Sequence, residues 1–243
     1  MKKIFFIGSK HIGFKCLEHV YNQVKKLNLD ISGVLTNDKG HEIKNFCKNK
    51  NIPILDSLKD YLSIRNIDTL ISVQYHEILK KIHLENAKRC FNLHMAPLPE
   101  YRGCNQFTYA ILNQESTFGT TIHLMDEGID SGDIVFQKRF DIPKDIWVEE
   151  LYNQTVRNSI DLFRENFKDL INDNFLACPQ SDFPVNTPKN FYLRSEIDKL
   201  KKIDLNDGPE KIKRIIRSLA MPGHQGPYIE IDKKKFYLAS SQS

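Results

Sequence analysis

Phe91-Asn92-Leu93-His94-Met95-Ala96-Pro97-Leu98-Pro99-Glu100-Tyr101-Arg102-Gly103 is the stretch on which the fold turns. It begins as a short apolar strand and is stopped by Pro97 and Pro99, which have no N–H to give a sheet ladder. Asn92 and His94 lie two apart on that strand, so they share one face and can converge on one ligand. Their place at a strand end is where open parallel sheets hold their ligand crevice. Further on, Met125-Asp126-Glu127-Gly128-Ile129-Asp130-Ser131-Gly132-Asp133 sets Asp130 in a glycine-flanked loop that can bring a carboxylate and backbone N–H groups to a bound molecule. Singly, Asn92 also reads as a turn former, His94 as a satisfied core histidine and Asp130 as a solvated loop carboxylate. Together they are an amide, an imidazole and a carboxylate, the groups one acyl-transfer site can use.

Around this stretch the pattern alternates. Lys2 to Gly8 is a β-rich run, followed by Phe14, Leu17, Tyr21 and Val24 at helical spacing, and Ile31 to Leu35 and Thr69 to Val73 are further short apolar strands. This predicts an α/β fold with a mostly parallel, Rossmann-like sheet. Thr117 to Met125 and Asp133 to Ile142 read as two more strands, and Leu151, Val156, Ile160, Phe163, Phe167 and Leu170 trace one face of a long helix that closes the core. Residues 179–190, with Pro179, Pro184 and Pro188, have the texture of a linker between a catalytic domain over 1–178 and a small appendage over 191–243. The appendage is expected to hold a short helix opening at Pro209 and a hairpin in which Tyr228 to Ile231 and Phe236 to Leu238 flank a charged turn, Asp232 to Lys235.

Composition narrows the class. The chain of 243 residues is 40% hydrophobic, enough for a sizeable core. No apolar run approaches a membrane span, and Met1-Lys2-Lys3 leads straight into strand-like sequence rather than a cleavable signal, so a cytoplasmic protein away from membranes is expected. Cys16, Cys47, Cys90, Cys104 and Cys178 are scattered without metal spacing and read as reduced thiols, and no metal site is expected. The formal charge of +4 is spread along the chain, which calls for no nucleic-acid partner while suiting an anionic substrate.

Asn-x-His followed by Pro99 and Tyr101-Arg102-Gly103, then Gly119-Thr120-Thr121-Ile122-His123-Leu124-Met125-Asp126 and Gly128-Ile129-Asp130-Ser131-Gly132, resembles the 10-formyltetrahydrofolate-dependent formyltransferases over residues 1 to about 145. The resemblance implies that Asn92, His94 and Asp130 are the catalytic set. It implies that Tyr75 to Leu79, with Ile78 among them, and the Asp126 to Asp130 loop with Gly128 line the folate's pterin pocket, although Tyr75 is equally a packing residue. It turns Gly8-Ser9-Lys10-His11-Ile12-Gly13, by itself a weak phosphate-cradling turn or a plain strand-to-helix turn, toward the amine-bearing substrate, with Ser9 and Lys10 contacting its phosphates. Arg102 is left with two readings, a substrate contact or a brace for the loop through backbone carbonyls. Where the family often has Ser before Leu-Leu-Pro, this chain has Ala96-Pro97-Leu98-Pro99, which bears on loop shape rather than on the triad.

The implied chemistry is attack of a primary amine on a formyl carbon. Asn92 donates to the oxyanion, His94 accepts a proton from the amine or donates to the oxyanion, and Asp130 orients His94, holds its tautomer or favours its cation. The amine is the open question. Relatives acting on methionyl-tRNA carry a larger basic β-barrel, for which the roughly fifty residues after the linker are too few, and those acting on glycinamide ribonucleotide leave the tail unexplained. Met221-Pro222-Gly223-His224-Gln225-Gly226-Pro227-Tyr228-Ile229-Glu230-Ile231 resembles the ending of the branch that formylates nucleotide-linked amino sugars. The expectation is therefore a sugar N-formyltransferase for surface polysaccharide such as the O-antigen of lipopolysaccharide, with 10-formyltetrahydrofolate as donor and Tyr228 as a base or sugar contact. A homodimer through the β-rich tail, a formyl-releasing hydrolase and a non-catalytic folate- or nucleotide-binding protein stand as further readings.

Overall fold

The computed structural model describes residues 1–184, 188 and 190–238. Its strands are β1 (Lys2–Gly8), β2 (Leu29–Leu35), β3 (Ile54–Leu55), β4 (Ile67–Val73), β5 (Ala87–His94), β6 (Tyr101–Gly103), β7 (Thr117–Leu124), β8 (Ile134–Asp141), β9 (Asn190–Tyr192), β10 (Tyr228–Ile231) and β11 (Lys234–Tyr237). Its helices are α1 (Lys10–Leu27), α2 (His41–Lys50), α3 (Leu58–Tyr61), α4 (Lys81–Leu84), α5 (Gln106–Leu112), α6 (Val148–Asn172), α7 (Ile197–Leu200) and α8 (Pro209–Leu219).

The main sheet has the order β3-β2-β1-β4-β5-β7-β8. Its first five strands run parallel, β7 is antiparallel to β5, and β8, antiparallel to β7, resumes the direction of the first five. Ile4, Phe5, Phe6 and Ile7 of β1 are fully buried, the continuous apolar run that a central parallel strand covered on both faces requires. α1 and α6 cover one face with Ile12, Leu17, Phe163 and Phe167, and Leu58, Tyr61 and Leu79 cover the other. In the expected stripe of α6, Leu151, Ile160, Phe163, Phe167 and Leu170 are buried and Val156 packs beside them. Chain order reverses between β1 and β4, so the ends of these two strands form the switch point where such sheets admit ligands.

The C-terminal part is less detached than its composition suggests. Within the stretch expected to be a linker, Gln180 is buried, and β9 begins at its far end and pairs in parallel with β6; residues 185–187 and 189 lie outside the described residues. Gly103 permits the pairing, since it has φ +84° and a Cβ there would sit 2.4 Å from the Tyr192 carbonyl oxygen. The Tyr192 ring stacks on Tyr109 at 3.8 Å. α8, opened by Pro209, rests on α5, with Thr108 Oγ1 donating to the Ser218 carbonyl at 2.9 Å. In the hairpin, Asp232 and Lys233 both have positive φ, 50° and 61°, so a two-residue turn of the primed type replaces the expected four-residue turn and the second strand ends at Tyr237. Among the described residues no helix is long and apolar enough to cross a membrane, and the five cysteines are free thiols.

Candidate active site

The site is built where β5 runs out. Thr120 Oγ1 donates to the His94 carbonyl at 2.9 Å and Thr121 Oγ1 to the Ala96 carbonyl at 2.8 Å, while Ser159 on α6 braces Thr120 at 2.7 Å. These buried hydroxyls take up carbonyls that leave the ladder at the prolines, so the end of the strand is rigid. His94, 6% exposed, has Nε2 at 2.7 Å from the Tyr101 carbonyl oxygen. A carbonyl only accepts, so Nε2 carries the proton and Nδ1 is the nitrogen left for chemistry.

Asp130 completes the group. It is held at φ +50°, and its Oδ2 accepts the Gly103 N–H at 3.0 Å. Its Oδ1 lies 3.4 Å from Asn92 Nδ2 and 3.5 Å from both His94 Nδ1 and His123 Nε2. Burial by itself pushes this carboxyl up, but the His94 charge, the hydrogen bond and charge of His123 and the Gly103 N–H together hold it well below the usual carboxylate range. Contacts of 3.4 to 3.5 Å are long for hydrogen bonds, so the three groups around Oδ1 are gathered without being locked to one another.

Side-chain donors fasten the loop that carries Asp130. Arg102 Nε and Nη2 donate to the Ile129 carbonyl at 3.1 and 3.0 Å, which is the brace reading of that residue. From the other side, Gln180 Nε2 donates to the Asp130 and Gly132 carbonyls, each at 2.8 Å. Asp126 Oδ1 accepts the Gly128 N–H at 3.0 Å and Ser131 Oγ at 2.6 Å, so Asp126 shapes the loop from within. A Cβ at Gly128 would meet Ser131 Oγ at 2.1 Å, so a side chain there would displace the Ser131 hydroxyl from Asp126.

The residues expected from the sequence divide into groups. Asn92, His94 and Asp130 come together. Of the expected folate-side residues, Leu79 is 5% exposed and belongs to the core, Ile78 is 65% exposed, and Tyr75 is half-buried beside the core and donates to Glu77 at 2.6 Å. Ser9 is fully buried with its hydroxyl donated to the Gln74 carbonyl, so its side chain faces the protein rather than a phosphate. Lys10, at the switch point, reaches Gln74 Oε1 at 3.0 Å, and burial followed by the charges of Lys39 and Arg194 holds its ammonium below the ordinary pKa. The Tyr228 ring meets Lys235 Nζ at 4.4 Å and Tyr237, and its backbone pairs with residues 201–203. The hairpin turn keeps it within the C-terminal segment.

Two residues of the site were not picked out from the sequence. His123 faces Asn92 across β5 and β7, and its Nε2 is 3.2 Å from Asn92 Nδ2. A one-residue bulge at Val135 on β8 adjoins it, a device that re-aims side chains beside active sites. A histidine between Ile122 and Leu124 on a buried strand was the available signal; its meaning depended on the β5–β7 register. Gln180 gave no local signal, sitting between Pro179 and Ser181 in a polar stretch.

A buried carboxylate, an imidazole and an amide gathered at the carboxyl end of a mostly parallel sheet define an enzyme of the acyl-transfer class. The chain belongs to the formyl transferase family, whose profile matches residues 2–165. Among solved structures it is similar to an N-formyltransferase from Helicobacter canadensis in complex with folinic acid and dTDP-3-aminofucose (25% identity, TM-score 0.78, 97% of this chain and 86% of that one). It is also similar to WlaRD, a sugar 3N-formyltransferase in the presence of dTDP and 5-N-formyl-THF (27% identity, TM-score 0.79, 97% of this chain and 84% of that one). By sequence it resembles the methionyl-tRNA formyltransferase of Clostridium acetobutylicum, 29% identical over 90% of this chain and 74% of that protein. It resembles that of Clostridioides difficile at 29% over 68% of this chain, there spanning 58% of the relative's length.

Proposed function

We propose that this chain transfers the formyl group of 10-formyltetrahydrofolate to the 3- or 4-amine of a nucleoside-diphosphate-linked amino dideoxy sugar. The observation that carries this reading is that likeness to the two sugar N-formyltransferase structures extends over 97% of the chain. Support comes from Lys10 beside the N-terminus of α1, whose ammonium feels the charges of Lys39 and Arg194, a setting suited to a diphosphate. The loops 75–79 and 126–130 are the proposed folate side.

On this reading the sugar amine attacks the formyl carbon, forming a C–N bond and a tetrahedral oxyanion. Asn92 donates to that oxygen, a contact typically worth about 10² to 10³ in rate. His94 takes the amine proton at Nδ1, since Nε2 is committed to the Tyr101 carbonyl. Asp130, already ionised, stabilises the resulting imidazolium. Collapse breaks the bond to the folate nitrogen, which receives the proton directly from His94 or through a water beside Asp130. The products are an N-formylated sugar nucleotide and tetrahydrofolate, the former destined for a surface polysaccharide such as O-antigen, in the cytoplasm. Exposed Ile231, Phe236 and Tyr237 on the hairpin support self-association.

The sequence relatives favour a second acceptor, initiator methionyl-tRNA. Mass spectrometry of the protein with 10-formyltetrahydrofolate and a panel of nucleotide-linked 3- and 4-amino sugars decides between them, with methionyl-tRNA, glycinamide ribonucleotide and amine-free arms. A formyl mass gain on one sugar is expected. Gain on the tRNA alone, or folate turnover in the amine-free arm alone, overturns the sugar reading.

A further inference from the structure

His123 is 2% exposed, stands directly opposite Asn92, and has no part in the transfer described above. Its Nδ1 is 2.7 Å from the Leu124 carbonyl oxygen. Because a carbonyl only accepts, Nδ1 is protonated in the neutral and the cationic ring alike, and the only position that changes is Nε2. Among the described residues, the titratable groups facing this ring are His94 on β5, at 6.4 Å between ring centroids, and Asp130 in the loop between β7 and β8; its register partner on β8, Ile134, is apolar.

Two arrangements of the neighbouring amide follow. A bare Nε2 can only accept, and the group 3.2 Å from it is the NH₂ end of Asn92. The same nitrogen is 3.4 Å from Asp130 Oδ1, so both amide hydrogens point at protein groups and the carbonyl end is turned away from them. A protonated Nε2 donates, and two donors at that distance repel. The amide then turns over, giving its oxygen to the imidazolium and releasing its NH₂ end, with the cation offsetting the approach of that oxygen to the Asp130 carboxylate. Only the second arrangement leaves Asn92 with hydrogens for an oxyanion.

We propose that His123 is a positioning residue whose protonation at Nε2 sets which end of the Asn92 side-chain amide faces the formyl oxygen. The proposal rests on the reading of Asn92 as the oxyanion donor. His94 and His123 thereby divide the work: the first moves the substrate's proton, and the second orients the group that binds the developing charge.

The test has a structural and a kinetic arm. In the free protein labelled with ¹⁵N at histidine and asparagine, neutral His123 is expected to be the Nδ1–H tautomer. Nuclear Overhauser contact between the Asn92 side-chain NH₂ and the His123 ring is expected above the His123 titration and lost below it. Contact that persists on both sides, or a His123 that never titrates in the folded protein, overturns the proposal. In turnover, His123→Gln is expected to lower kcat about 10- to 100-fold, short of the full loss of an oxyanion donor, with KM for both substrates within about threefold. In an Asn92→Ala background the same change is expected to cost less than about twofold. Equal cost in both backgrounds means His123 does not act through Asn92, and His123→Asn serves where the glutamine variant fails to fold. Absence of turnover by the wild-type protein on every amino sugar would sink the substrate reading, while the resonance arm still decides the role of His123.

Discussion

The β5–β7 corner and the β10–β11 hairpin are both antiparallel pairings, yet they define their side chains to very different degrees. At the corner, Asn92, His94 and His123 project from strands buried between helices, and each has at least one polar partner supplied by the fold. At the hairpin, Ile231, Phe236 and Tyr237 are half exposed, and Tyr228 makes its ring contacts with residues of the same hairpin. Burial raises the cost of an unmet polar group, so a buried corner admits few arrangements, whereas an exposed two-stranded ribbon is only marginally specified by its own contacts. The difference explains why spacing along the chain was enough to gather Asn92, His94 and Asp130, while the ring and backbone contacts of Tyr228 stay within the C-terminal segment.

The comparison breaks most readily at the corner. Asp130→Asn is expected to lower kcat about 10³-fold in a protein that still folds, because it removes the charge that stabilises the His94 cation; turnover within tenfold of wild type would show that the corner's order is not catalytic. The same variant tests stability against pH. The Asp130 pKa is depressed in the fold, so its contribution is complete above the ordinary carboxylate value of about 3.9 and is lost as pH falls through the folded value. The gap between wild-type and Asp130→Asn urea midpoints is accordingly expected at neutral pH and to narrow below about pH 4.

Gln180→Leu probes the corner from outside the triad. It strips the donor from the Asp130 and Gly132 carbonyls, at a cost of about 1–3 kcal/mol if they stay dry. The expected readings are a melting temperature lower by about 2–10 °C and a kcat down about tenfold. An unchanged kcat with a lowered melting temperature would separate bracing of the fold from placement of the carboxylate. Lys10→Ala is expected to raise KM for the nucleotide-linked substrate about tenfold with kcat nearly unchanged, and a loss in kcat alone would remove Lys10 from binding. The smallest effect belongs to the hairpin: Tyr228→Ala should change stability by under about 0.5 kcal/mol and turnover by less than twofold. A KM increase beyond tenfold there would mean that the tail reaches the substrate after all.

Much of the architecture was legible in the chain. The unbroken apolar run of β1, the stripe on α6, and Pro209 at the start of α8 each carry a local rule that the fold obeys. The hairpin turn was read two residues too long, because Asp232 and Lys233 tolerate positive φ where glycine is the usual sign of a tight turn. The direction of the Ser9 hydroxyl was not legible, because the carbonyl that accepts it, on Gln74 just past β4, is distant in the chain.

By itself the sequence determined the class of fold, the strand end that bears Asn92 and His94, and the glycine-flanked loop that bears Asp130. These depend on the two-residue repeat of strands, on proline and on glycine, all properties of neighbours along the chain. Only the tertiary structure decided that His123 faces Asn92, that Gln180 grips the loop of Asp130, and that Tyr228 stays within the tail. Each of those depends on register between distant strands or on where a connecting segment docks, and such pairings are chosen by burial and hydrogen-bond satisfaction over the whole molecule.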